Sequence, residues 1–333
     1  MFAYTAKQSG KVISKNKFGV IVEYDDGTRK GVTLGRVFGK AEGSVYPHDI
    51  VSNLNVGDVI EKGTPIAYNT GFFEQDSLDP KNIVFKTSMT AKVALLESNQ
   101  THEDSSSISK SLSALLKSRT TKVKSVIVNF NENIINIVKP GQKVHTKDIL
   151  MTIEDEITST NSSFDEESLA VLKKLSNQSP KCGYEGTIDK IEVLYHGDKE
   201  DMSASLLAIV EQSDSYRNNI AKATGLPTCS GAVNDEYSVK RKPLTVDKAE
   251  IKIYITVENL SGTGDKVIFA NQMKSVIGEV MDYDTHTESG EKIDAIFGYR
   301  SIAARIVLSP LMIGTTTTLL KIIGKQAVKL YRG

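Results

Sequence analysis

Gly264-Asp265-Lys266, then Lys274 eight residues on, then Ile293-Asp294-Ala295-Ile296-Phe297-Gly298-Tyr299-Arg300-Ser301-Ile302-Ala303-Ala304-Arg305 form the stretch that decides the reading of this chain. The first part follows Ile251-Lys252-Ile253-Tyr254-Ile255-Thr256-Val257, where apolar residues at alternate positions predict a strand with one buried face. Lys266 therefore leaves a turn, and Lys274 returns into a short strand, Ser275-Val276-Ile277-Gly278. The third part reads as an apolar strand, a Gly-containing turn and a second strand carrying Arg305. If these strands close into one small barrel, Lys266, Lys274 and Arg305 converge on one mouth. Three cations without matching carboxylates suit a polyanion: lysine acts as a compact point charge, and arginine grips two phosphate oxygens at once.

Outward from this stretch, short β-branched runs and Gly-rich turns fill Lys11 to Ala67, with Tyr24-Asp25-Asp26-Gly27 as a hairpin turn. Strands resume at Ile83-Val84-Phe85 and Lys92-Val93-Ala94-Leu95-Leu96. Ile108, Leu112, Leu115 and Leu116 recur at helical spacing behind Asp104, which reads as a helix N-cap. Further strands are expected at Val126-Ile127-Val128, Ile134 to Val138, Ile149-Leu150 and Gly186 to Leu194. A helix from Phe164 to Leu175 opens with Ser163 and Glu166 in capping-box spacing. Ser213 to Arg241 reads as a polar return linker or surface loop. At the carboxyl end, an amphipathic helix with Lys321, Lys325 and Lys329 on one stripe follows four threonines; the stripe is a solvated face or a contact surface.

The 333 residues are 39 % hydrophobic and carry no net formal charge. A core of useful size is therefore possible, while a free-standing nucleic-acid binder, ordinarily strongly basic, is disfavoured. After Asp294 no acidic residue occurs. Cys182 and Cys229 have no CxxC partner, so neither zinc nor a structural disulfide is indicated. No signal peptide or bilayer-length apolar run is present, and a cytoplasmic location is expected.

Lys266 and Lys274 with the strand after them resemble a segment of the β subunit of multisubunit RNA polymerases in which two lysines stand eight residues apart. Ile293-Asp294 to Arg305 resembles the segment that follows it there. Glu103-Asp104-Ser105 with Ser109 resembles the family's Phe-Glu-Asp-Ser motif, and Val56-Gly57-Asp58-Val59-Ile60-Glu61-Lys62-Gly63 the segment before it. The four landmarks keep the family's order. The resemblance implies a mainly β fold with a few helices: a double-psi β-barrel from two separated segments, with a flap-like β-rich insertion between them. It divides the chain into a first barrel part at 1–121, the insertion and return linker at 122–245, a second barrel part at 246–312 and the basic helix at 313–333.

By the same resemblance, Lys266 and Lys274 touch the RNA 3′ end and the nucleotide phosphates, Arg305 grips the triphosphate, and Glu103 and Asp104 lie near the second magnesium ion, directly or through an intermediary. His102, Ala270-Asn271-Gln272 and Ser275 depart from the family's Phe, Arg-His-Gly and Gly. The aspartate-triad loop that holds the main Mg²⁺ in the family's β′ subunit does not occur, so the chain alone is inactive. The implied partners are an N-terminal β part, β′-type chains, DNA template, RNA and nucleoside triphosphates, in the host cytoplasm, as in giant bacteriophages with split polymerase subunits. A non-catalytic β-rich viral scaffold is the alternative. A biotinyl or lipoyl carrier is excluded, because Met273-Lys274, the only Met-Lys pair, lies far from both carrier-like half-motifs.

Overall fold

Ile251, Ile253 and Ile255 are at most 1 % exposed, while Lys252 and Tyr254 between them face outward. Each buried isoleucine contributes about 1.5–3 kcal/mol of apolar burial, enough to fix the register of the strand that carries them. A computed structural model describes residues 3–76, 79–86, 88–154, 179–270, 273–305 and 308–332. In chain order its strands are β1 Ala3–Thr5, β2 Gly10–Lys15, β3 Gly19–Tyr24, β4 Arg29–Thr33, β5 Gly35–Ala41, β6 Ser44–Val51, β7 Val59–Ile60, β8 Pro65–Asn69, β9 Phe73–Gln75, β10 Ile83–Phe85, β11 Val93–Leu95 and β12 Ser105–Ser109. There follow β13 Ser118–Asn129, β14 Asn133–Ile137, β15 Lys143–Val144, β16 Met151–Glu154, β17 Gly186–His196, β18 Ser238–Val239, β19 Lys242–Pro243, β20 Lys248–Asn259, β21 Lys266–Phe269, β22 Met273–Met281, β23 Thr285–His286, β24 Lys292–Ile293 and β25 Ala295–Phe297. The helices are α1 Lys110–Leu115, α2 Ala204–Thr224, α3 Tyr299–Ala303 and α4 Ser309–Arg332.

The chain is mainly β, with open sheets. Packing divides it into one unit of residues 1–87 with 119–258 and another of 88–118 with 259–333.

In the larger unit one sheet runs β1-β8-β6-β13-β20-β17-β15, with β5 paired to β6, and a second runs β4-β3-β2-β7. The Asp25-Asp26-Gly27 turn joins β3 to β4 as expected, with Gly27 at a φ of 81°. Helix α2 occupies Ala204–Thr224, most of it inside the stretch expected to be a polar linker, which corrects that reading. Ser203 caps it by accepting a hydrogen bond from the Leu206 amide, and Gly225 ends it in the left-handed conformation. Leu206 and Val210 are fully buried in the core beneath β17 and β20. The helix end lies so close to β4 that a Cβ on Gly31 would fall 1.9 Å from the Thr224 carbonyl oxygen.

A charged cluster ties the large sheet together. Arg36 forks onto Asp49 and donates to Asp189, Arg119 reaches Asp49 at 3.1 Å, and Thr256 donates to Asp189. Burial alone would raise the pKa of Asp49, but the Arg36 hydrogen bond and the charges of Arg36 and Arg119 outweigh it and hold the carboxyl below its usual range. A carboxylate depressed on folding contributes stability above its unfolded pKa and loses that contribution as pH falls through the folded value. Urea midpoints should therefore drop between pH 5 and pH 2, and Asp49→Asn should flatten that drop; an unaltered acid limb would remove Asp49 from the linkage.

The smaller unit centres on a sheet of order β11-β25-β12-β22-β21. Strands β11 and β25 run parallel, β25 and β12 antiparallel, β12 and β22 parallel, β22 and β21 antiparallel. Its core holds Ile108, Leu112, Ile277 and Ala295, with Met273, Phe297 and Ile302 beside them. Ser109, not Asp104, caps α1: its hydroxyl accepts from the Leu112 amide, and Asp104 instead precedes a strand. Arg305 does not ride on a strand either; the five-residue α3 fills the expected turn-and-strand stretch, and Arg305 follows its end. The C-terminal helix is present and starts at Ser309, with Lys321, Lys325 and Lys329 exposed. The helix expected from Phe164 to Leu175 lies outside the described residues. No helix among the described residues is long and apolar enough to cross a membrane.

Candidate functional site

The hairpin of β21 and β22 positions the two lysines. Gly264, at a φ of 95°, allows the tight turn before β21, and its amide donates to the Ile277 carbonyl at 2.8 Å. The register places Lys266 opposite Val276 and Ile268 opposite Lys274. Side chains directly opposite share a face, so Lys266, Ile268, Lys274 and Val276 lie on one surface of the hairpin. Met273, Ser275 and Ile277 point the other way and are at most 5 % exposed. Lys266 and Lys274 are thus diagonal cross-strand neighbours, with backbones about 7–8 Å apart. Both are exposed, and neither has an ion-pair partner among the described residues. Ile268 and Val276 between them are 60 % and 39 % exposed, an apolar floor that the sequence reading missed. The alternation from Met273 to Gly278 carried that signal.

Glu103 and Asp104 reach the same sheet from the start of β12. The Asp104 carbonyl accepts from the Val276 amide at 3.0 Å, pinning Asp104 to β22 at the level of Lys266. Arg305 donates to the Asp104 carboxylate at 2.7 Å, and the Ser301 hydroxyl to the Glu103 carbonyl. Asp104 and Arg305 are therefore in contact, and Asp104 is tied by its backbone to β22, the strand that carries Lys274 and pairs with the one carrying Lys266. Lys266 and Lys274 lie on the exposed face of the β21–β22 hairpin, whereas Ile302 of α3, just before Arg305, packs with Met273, whose side chain points to the other face.

Ser275, which departs from the polymerase pattern, is buried and donates to the Ser106 hydroxyl at 2.8 Å. Ser107 likewise donates to Glu279 at 3.0 Å. These bonds explain why Ser105-Ser106-Ser107, a run poor in β-branched or aromatic residues, forms a central strand: its hydroxyls find partners when buried.

The acidic pair alone does not make a magnesium cage. Among the described residues no group of three His, Cys, Asp or Glu side chains stands close enough to hold a metal. Mg²⁺ requires near-octahedral oxygen ligation, and the Asp104 carboxylate is already engaged by a guanidinium.

Chemically, the exposed hairpin face offers two ammonium groups, unpaired among the described residues, over a small apolar floor, and Arg305 is held separately by the Asp104 carboxylate. Such a surface attracts and orients an anion, and it contains no evident nucleophile or general base. No protein-family profile matches the chain, and no curated protein is significantly similar to it.

Proposed function

We propose that this chain is the C-terminal β-type subunit of a multisubunit DNA-dependent RNA polymerase of the split, phage type, acting in the host cytoplasm. One observation supports this above the others: the Glu103-Asp104 segment and the Lys266 to Arg305 stretch, far apart in sequence, join one sheet, Asp104 by its carbonyl to the Val276 amide and by its carboxylate to Arg305. In this reading the mixed parallel and antiparallel pairing of the smaller unit belongs to a double-psi β-barrel, and residues 122–245 form the flap-like element.

Lys266 and Lys274 neutralise the phosphates of the incoming nucleotide and hold the RNA 3′ end. Arg305 exchanges Asp104 for the triphosphate, and Asp104 keeps the guanidinium in place until nucleotide arrives. The 3′ hydroxyl oxygen bonds to the α-phosphorus as pyrophosphate leaves, so the task of these side chains is positioning and charge stabilisation. Mg²⁺, held by a β′-type partner, supplies the charge that activates the hydroxyl and stabilises the leaving group. Glu103 and Asp104 act near it through orientation rather than as its cage.

Arg305→Ala should raise the apparent KM for nucleotides about thirtyfold, the equivalent of roughly 2 kcal/mol. Arg305→Lys should recover only part, because an ammonium lacks the planar fork. An unchanged KM in steady-state extension assays removes Arg305 from the site. The assignment as a whole is tested by affinity purification of the tagged chain from infected cells. A partner bearing an aspartate-triad loop is expected, and its absence from a stable complex overturns the reading in favour of a scaffold.

A further inference from the structure

The larger unit holds a cavity of about 500 Å³ bounded by the β5–β6 turn, the start of β13 and the segment Lys181–Tyr184. That volume is within the range of small-ligand pockets. Among the described residues its lining carries Lys122, Lys124 and Lys181 and no carboxylate. The Lys122 ammonium stands 5.6 Å from the centroid of the Tyr184 ring, and that ring is about half exposed at the rim. Lys124 and Lys181 have no ion-pair partner among the described residues. Glu185, next along the chain but outside the lining, lies 3.8 Å from His145 instead. Glu42 and Gly43, both at positive φ, make the two-residue turn of the β5–β6 hairpin, of which Gly43 lines the cavity.

We propose that this cavity binds a nucleotide unit, with phosphate on the three lysines and the base against Tyr184. Ammonium groups alone would suit any polyanion. The exposed aromatic ring adjoining them selects a ligand with a flat π-face, which an acidic peptide or inorganic phosphate lacks. Lysine point charges impose no base pattern, so the site tolerates any sequence. A free mononucleotide and one residue of a single strand present the same chemistry. None of Lys266, Lys274 or Arg305 takes part, so the cavity does not depend on the polymerase reading.

The test is fluorescence anisotropy of the purified full chain with a fluorescein-labelled oligouridylate, between 50 and 200 mM salt. Lys122→Gln/Lys124→Gln/Lys181→Gln should weaken binding at least about tenfold and flatten the dependence of log K on log salt by roughly 0.7 for each phosphate no longer neutralised. Tyr184→Leu should weaken it about tenfold with an unchanged salt slope. Displacement of the probe by millimolar uridine monophosphate identifies a mononucleotide site, and displacement by unlabelled strand alone identifies a strand site; either upholds the cavity. The proposal is overturned by absence of saturable binding at 50 mM salt or by an unaffected Tyr184→Leu. It is equally overturned if Lys240→Gln/Arg241→Gln, on the β18–β19 turn and outside the lining, weakens binding as much as the triple variant. Binding abolished in Lys266→Ala/Lys274→Ala but kept in the cavity variants would assign the RNA to the earlier site and refute this one.

Discussion

Under the proposed function, Lys274→Ala and Lys266→Ala should each reduce nucleotide addition by the assembled enzyme at least about a hundredfold, the loss expected when one preorganised charge facing the reacting phosphates is removed. Both side chains are exposed and unpaired among the described residues, so truncation leaves no buried partner stranded and the sheet intact. The readout is single-nucleotide extension, with size-exclusion chromatography confirming that the variant subunit still assembles. Charge-conserving Lys→Arg changes should retain part of the activity, since the phosphate still meets a cation of different shape. Extension at the unmodified rate in both alanine variants would defeat the proposed function.

The second large effect is on stability. Asp214 is buried on α2, where its carboxylate accepts from the Gly231 amide at 2.7 Å, from Arg217 at 3.1 Å and from Lys199 at 2.7 Å. Asp214→Ala would leave a buried amide and a largely buried guanidinium without their acceptor, which costs about 3–5 kcal/mol. Lys199 is partly exposed and can turn to water, so most of the loss arises at Arg217 and Gly231. Urea denaturation should show a lower midpoint at unchanged slope. A loss under about 1 kcal/mol would mean that water or Glu192, 3.4 Å from Arg217, replaces the carboxylate.

What the sequence revealed depended on where burial followed a simple period. Ile251, Ile253 and Ile255 alternate cleanly, and β20 was legible; so was the β3–β4 hairpin, because Asp-Asp-Gly supplies the turn its strands require. Helix α2 was missed for a physical reason. After Leu206 and Val210 its buried face continues through Ser213 and Asp214, so polar residues occupy the positions where a periodic reading looks for apolar ones. The cap of α1 was misplaced because Asp104 and Ser109 are both capable caps, and only the serine strand between them decides which one is used. At the candidate site the lysine hairpin was legible from Gly264 and the short spacing. Arg305 was assigned the wrong local structure, since Ile302-Ala303-Ala304 fits a strand or one helical turn equally well. Its contact with Asp104 spans two hundred positions, and no local pattern encodes that.

The pairing of β12 with β22 has a consequence for synthesis. Residues 88–118 leave the ribosome long before 259–333, so β12 has no neighbour on either side until the last quarter of the chain emerges. In the interval β13 and β20 become adjacent, and the Thr121 and Thr256 hydroxyls meet at 2.9 Å, which draws the two ends of the intervening segment together. The entropic cost of closing so long a loop is thereby met by the larger unit folding first. Nascent chains arrested before β22 should accordingly yield a protease-resistant larger unit with 88–118 still open to cleavage.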